Sequence, residues 1–510
     1  MKNGLTGDDW QLLFAYKTYD PQPLNRILDV WMMRGPYTTI QFYYIGLLEK
    51  LFGLDYQLFQ IINISFKIFA SITLYLLISK IFKNFLLATV SALIFTIIHS
   101  STGALQYVIK GPEYLAIGFM NLFFLMFYYA VTKRSIKFTL LTSIILFVTF
   151  MLSPIRLYPL FGLIILIEIY LVIRNRKISY LLQSLFRLII FYLPLAFLAV
   201  ASINTTSGYL NGTINFINDL KSGSWHFFLA PFQGLGYSLL GNDQLKFLHT
   251  TASSIGIFLL AWSFGYFIVW LRNGSKLDKF FLLFIGPWFA LFFLISTWII
   301  LGPAFNINES VHWYLIVPSL GISIFISALI CSFFEKGYPF AAAAFLLFMV
   351  VSFISYHETN RHFNYLLSIG ADARDYNYMQ DQILTTTRDQ DHDNLFIYLD
   401  GSNDPNNAKY YEVTLNLGYF EYWLFYFKKP NFLGCITYVT DKNKLIEYYR
   451  TDNGGYFESN GLCAETRYDV KTKKTAYDTK DFRAFMLKDK KMINITDQVL
   501  QDLRSGNTSF

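Results

Sequence analysis

The chain has 510 residues, 54% of them hydrophobic and only 15% charged, against about 25% charged in an average soluble protein. Its 52 Phe and 36 Tyr exceed what a soluble core of this length needs, which excludes an ordinary globular protein. The net charge of +7 does not indicate nucleic acid, because the Lys and Arg cluster in short loops between apolar runs, where they report membrane topology.

The chain opens MKNGLTGDDWQLL, polar and acidic, without the basic and apolar regions of a cleavable signal peptide. Residues 37–52 are apolar, but Glu49, Lys50, Gly53 and Asp55 predict an amphipathic helix lying on the membrane surface. Runs long enough to cross a bilayer follow at 58–79, 85–99, 113–132, 137–152, 155–173, 184–202, 252–271, 279–300, 312–333 and 338–356. One set of alternate loops carries clustered cations: Lys80 and Lys83; Lys133, Arg134 and Lys137; Arg174, Arg176 and Lys177; Arg272, Lys276 and Lys279; Lys336. The other set holds isolated ones, Lys110, Arg156, Lys221 and Lys246. By the positive-inside rule the first set is cytoplasmic, so the N-terminal segment, the 203–251 loop and everything after 356 lie outside. An acidic N-terminus placed outside raises the expectation of a further helix before Met1.

The tail alternates strand-like runs at 395–400, 435–439 and 483–488 with helix-like ones at 406–427, 441–450 and 494–504, after a helical connector at 357–392. Cys435 and Cys463 can pair there if the tail faces an oxidising compartment, while Cys331 lies in an apolar run. The expected fold class is therefore an α-helical multi-pass membrane protein with a small C-terminal α/β extracytoplasmic domain. Its parts are an acidic segment and amphipathic helix (1–57), a transmembrane domain of about ten helices (58–356) and a soluble domain (357–510). The expected location is the plasma membrane.

Few residues on the outer side can carry chemistry. Adjacent carboxylates at Asp8 and Asp9 suit acid–base work or cation binding, since like-charge proximity and partial burial leave one poised as a base. The alternatives are a solvated acidic loop or an N-cap for the helix starting at Trp10. Glu113, three residues after Lys110, also fits the acidic first turn of an ordinary helix. Arg156 is either a snorkelling anchor or a phosphate clamp. His312 lies beside Trp313 and Tyr314, which also read as an interfacial aromatic belt. Trp225 and His226 mark a loop that either covers a groove or forms a helix pair outside the membrane. Sequons at Asn204, Asn211, Asn308, Asn494 and Asn507 matter only in a host that glycosylates them.

The segment GDDWQLL, followed by RGPYTTIQFYYIGLLEKLFGLDYQLFQIINISFKIFASITLYLL and short membrane helices, resembles membrane glycosyltransferases of the GT-C class. The nearest types are the protein O-mannosyltransferase-like and tetratricopeptide-containing transmembrane mannosyltransferase-like families. The resemblance spans roughly residues 4–335 and rests on motif order and topology; the tail matches neither family. It implies that Asp8 and Asp9 supply a base activating an acceptor hydroxyl, and that the sugar comes from a polyprenyl phosphate. Asn63 matches an early Asn of a membrane helix, Lys110 would meet the donor phosphate, and Glu113 would be a second acid or a structural partner. Glu309–Ser319 is similar to an "RY-x-Y-x-P-S" segment in which an Arg binds that phosphate. His312 stands in the place of that Arg and can serve only as a protonated or neutral donor. Leu152–Pro159 lacks the Lys and Glu of a Ser-Lys-Glu sequence, which leaves Arg156 as the cation there. The first family helix is absent from this sequence.

The implied activity is inverting transfer of a sugar from a polyprenyl-phosphate donor to a protein, lipid or polysaccharide acceptor at the outer membrane face. No cofactor is required; two acids can hold a divalent metal but do not demand one. A transporter or flippase of a lipid-linked envelope intermediate is the alternative, with the intramembrane charges Lys67 and Glu168 as its pathway. A non-catalytic scaffold is a third. No Walker loop, Rossmann fingerprint, CxxC or HExxH occurs, which argues against an ATP-driven pump.

Overall fold

The computed structural model describes residues 5, 8–18, 39–102, 105, 107–201, 218, 221, 226–240, 249–271, 286–301, 314–334, 338–368, 394–400, 434–466, 469–488 and 491–507. The helical part begins with α1 (Asp8–Thr18), α2 (Thr39–Phe52), α3 (Tyr56–Phe82), α4 (Phe85–Ile97) and the single turn α5 (His99–Thr102). A 3₁₀ turn, Val108–Lys110, leads into α6 (Gly111–Lys133), followed by α7 (Ile136–Leu152), α8 (Pro154–Leu157), α9 (Pro159–Asn175) and α10 (Ile178–Ala201). Then come α11 (His226–Leu240), α12 (His249–Leu271), α13 (Pro287–Leu301), α14 (Pro318–Phe334) and α15 (Tyr338–Ser368).

Every predicted span carries a helix, and among the described residues four are long and apolar enough to cross a membrane: Tyr56–Phe82, Val108–Lys133, Ile178–Ala196 and Ala341–Arg361. Others are shorter, among them Phe85–Ile97, Ile136–Leu152 and Pro318–Phe334. Large apolar side chains such as Ile144, Ile173, Leu193 and Phe353 point outward, a surface that water penalises and a bilayer solvates.

Local chemistry sets the helix ends. Asp55 Oδ1 accepts the N–H groups of Gln57 and Leu58 at the start of α3, and Asn84 accepts that of Leu87 at the start of α4. Helices α3, α6 and α9 each stop on a basic residue with positive φ: Lys83 (53°), Arg134 (48°) and Arg176 (48°). A left-handed residue with a side chain costs about 1–2 kcal/mol, and a cation at the negative helix terminus offsets part of it. These three cations sit in the loops read from sequence as cytoplasmic.

The C-terminal part is a seven-stranded sheet with flanking helices. It comprises β1 (Leu395–Asp400), β2 (Gly434–Val439), α16 (Lys442–Tyr448), β3 (Tyr449–Arg450), β4 (Tyr456–Thr466), β5 (Asp469–Asp478), β6 (Phe482–Lys488), β7 (Lys491–Asn494) and α17 (Thr496–Ser505). Strand order is β3-β4-β2-β1-β6-β7, with β5 paired to β4; β1 runs parallel to β2 and β6, and the other pairs are antiparallel. The strands expected at 395–400, 435–439 and 483–488 form the sheet centre, and the helices expected at 441–450 and 494–504 appear as α16 and α17. The β4–β5 hairpin, rich in Lys, Thr and Glu, lacked an apolar alternation that would have revealed it. The helix expected at 406–427 lies outside the described residues. The expected connector is, up to Ser368, a continuation of α15. Cys435 and Cys463 face each other across β2 and β4 and form a disulfide.

All six residues of β1 are buried because both sheet faces are covered. Phe396 and Tyr398 join Phe457, Tyr477, Phe482, Val499 and Leu503 in a core beneath α17. Leu395, Ile397 and Leu399, one residue out of phase, join Ile436 and Phe485 against Trp10, Leu13, Phe14, Phe42 and Ile45 of α1 and α2. The described side chains of α1 are all buried, with Trp10 and Leu13 at 0% exposure, because the helix packs between this sheet face and the helical part.

Ile397→Ala is expected to cost about 2–4 kcal/mol at this interface. It should also raise deuterium uptake across residues 8–18 in the detergent-solubilised chain. Unchanged uptake there would contradict the sheet's role in holding α1.

Candidate functional site

The site is assembled around the turn before α6. Asp9, fully buried, accepts the backbone N–H of Ile109 through Oδ1 at 3.0 Å. From the opposite side Asn63 donates through Nδ2 to the carbonyls of Tyr107 and Val108, both at 3.2 Å, while its Oδ1 accepts the Tyr44 hydroxyl at 2.6 Å. Burial, and then the Asp9 charge, push the Tyr44 phenol well above its ordinary range, so it stays a donor. Gly111 is required here: a Cβ would overlap Asn63 Oδ1 and lie 2.6 Å from the Tyr44 hydroxyl. Pro112 then starts α6, where a missing N–H is harmless.

This turn presents Lys110, whose Nζ lies 3.2 Å from Glu113 Oε1. The other oxygen of Glu113 is 3.6 Å from Arg156 Nε. Arg156 sits in α8, where Pro154 and Pro159 restart the helix twice and turn the chain inward. Its guanidinium stacks over Tyr314 at 4.4 Å from the ring centre. Lys110, Glu113 and Arg156 are 8%, 2% and 5% exposed, so Arg156 is an interior group and its head does not snorkel to water.

Asp9, the Lys110–Glu113 pair and Arg156, three segments far apart in sequence, are thus linked through the Ile109–Lys110 backbone and Glu113. The Asp8 side chain and all of His312 lie outside the described residues. Tyr314, read from sequence as part of an interfacial belt, is the aromatic platform for Arg156. Tyr44 carried no sequence signal beyond its place in an apolar helix. Among the described residues no group of three or more His, Cys, Asp or Glu is arranged to hold a metal.

The triad sets two buried cations, Lys110 and Arg156, against the two oxygens of one carboxylate, cationic groups of the kind that bind phosphate. The two charges singled out for transport behave differently from each other. Glu168 is locked by Arg187 at 2.6 and 2.7 Å and by Ser184 at 2.7 Å, all three buried between α9 and α10. Lys67, buried in α3, has no such partner among the described residues.

No protein-family model matches the chain, and no curated protein matches it.

Removing the carboxylate that serves both cations should be severe. Glu113→Ala is expected to cost about 3–5 kcal/mol, because two buried charges lose their partner. Glu113→Gln should cost less. Thermal unfolding in detergent checks the order, and a mild Ala variant would contradict the coupling.

Proposed function

We propose that this chain is a GT-C-type glycosyltransferase that moves a sugar from a polyprenyl-phosphate donor to an acceptor hydroxyl on the outer membrane face. The observation that carries this reading is the contact chain from Asp9 through the Ile109–Lys110 turn to Glu113 and Arg156, which sets an acid-bearing helix beside two buried cations. Transfer from a lipid phosphate needs those two things: a base for the acceptor and cations for the departing phosphate.

In this reading Asp8 takes the acceptor proton as the hydroxyl oxygen attacks the anomeric carbon. The bond from that carbon to the phosphate oxygen breaks, and the electron pair leaves with the polyprenyl phosphate. Lys110 and Arg156 stabilise its charge, and attack opposite the leaving group inverts the anomeric centre. Asp9 is a positioning residue, since its carboxylate is committed to the backbone of the turn that carries Lys110. His312 would add a donor at the same phosphate. The helical part spans the membrane several times, with α1 and the sheet domain outside. That placement is supported by the loop charges and by the Cys435–Cys463 disulfide, a bond that persists in oxidising compartments.

The chemistry is tested with membranes containing the chain, a labelled polyprenyl-phosphate sugar and candidate acceptors. Asp8→Asn should lower transfer by about 10²–10⁴-fold with little change in melting temperature. Asp9→Asn should cost about 1–2 kcal/mol of stability as its charge-assisted bond weakens. Full transfer by both variants would sink the reading. Orientation is checked separately with a membrane-impermeant maleimide on intact cells. Cys435 and Cys463 should label only after external reduction, and labelling only after lysis would place the domain inside.

A further inference from the structure

Lys67 is 2% exposed in the middle of a membrane-crossing helix, and its ammonium has no hydrogen-bond partner and no carboxylate within 4.0 Å among the described residues. The other buried charges of the helical part are answered. Glu168 meets Arg187, Glu113 meets Lys110 and Arg156, Glu358 meets Arg361, and Asp9 holds a backbone N–H. An ammonium at such depth is costly unless an anion compensates it, and such groups in membrane helices mark ligand pathways.

Its position says which ligand. Lys67 lies one helical turn, about 6 Å, from Asn63 on the same face of α3. That face is fixed from both ends: Asn63 holds the carbonyls of Tyr107 and Val108, and Ser71 accepts the Thr96 hydroxyl at 2.8 Å. Helical side chains lean toward the helix N-terminus, so the long Lys67 side chain reaches back toward the level of Asn63. That level is the inner wall of the turn presenting Lys110. The face of α3 that secures the turn therefore also carries a third cation behind it.

We propose that Lys67 is the innermost member of a phosphate subsite, binding the phosphate of a lipid-phosphate ligand together with Lys110 and Arg156. The assignment rests on the glycosyltransferase reading for its ligand class. It adds that the phosphate is drawn behind the turn, along the α3 face that bears Asn63 and Lys67, while the lipid tail stays in the bilayer. No bond is made or broken by Lys67; its role is electrostatic, and it is a binding residue.

The test is a ligand titration of the full chain in neutral detergent, read by melting temperature, with farnesyl phosphate, farnesol and inorganic phosphate as probes. Farnesyl phosphate should stabilise the wild type and farnesol should not. Lys67→Met should weaken farnesyl phosphate binding tenfold or more, while its ligand-free melting temperature stays level or rises, because the buried ammonium is gone. If Lys67→Met does not survive extraction, Lys67→Gln is titrated instead. A Lys67-dependent shift of equal size with inorganic phosphate supports the phosphate subsite and removes the lipid from it. Equal farnesyl phosphate binding by variant and wild type overturns the assignment and leaves the glycosyltransferase reading standing. No binding by the wild type overturns both.

Discussion

The carboxylate of Asp9 on the Ile109 N–H joins two segments a hundred residues apart, and the candidate site depends on that one bond. It ties the start of α1 to the middle of the turn before α6. A fully buried carboxylate is expensive unless donors satisfy it, so the bond constrains both partners at once. Asn63 and Tyr44 brace the turn from the other side, and Gly111 lets them approach it. Lys110 is thereby aimed at Glu113 from a backbone with little freedom left.

The C-terminal sheet acts through the same helix. Its inner face contributes Leu395, Ile397, Leu399, Ile436 and Phe485 to the core that contains Trp10 and Leu13. An eleven-residue helix is marginal on its own in water, so the apolar surfaces that pack on its buried residues must hold it. The sheet supplies one of them, and this gives the tail a physical purpose. It is the outer wall of the layer that carries the acids. The disulfide ties β2 to β4 within that wall.

Buried charges inside the helical part divide by what answers them. Glu168 and Arg187 form a closed pair with Ser184, an arrangement that locks α9 to α10. Glu113 bridges two cations from separate segments, Lys110 and Arg156. The difference lies in charge count, since both groups are equally deep.

Much of the local structure was legible in the residues. Apolar runs marked the long helices and the central strands, and the loop cations gave one expected orientation, because burial in lipid or inside a sheet demands apolar side chains. The β4–β5 hairpin escaped because its buried positions include Ser459 and Gly461 beside Phe457 and Cys463, and β5 is largely exposed and Lys-rich, so no apolar rhythm runs along it. The candidate residues Asp9, Lys110, Glu113 and Arg156 were named from charge and position, while their partnerships were not readable. Composition alone determined a chain that must cover long apolar segments. Only the tertiary structure decided that the tail covers α1, that Arg156 turns inward onto Tyr314, and that one carboxylate serves two cations. The hydrophobic effect is non-directional, so an apolar face does not specify its partner. That choice falls to shape and to the few polar bonds, such as that of Asp9, which burial makes costly to leave unmade.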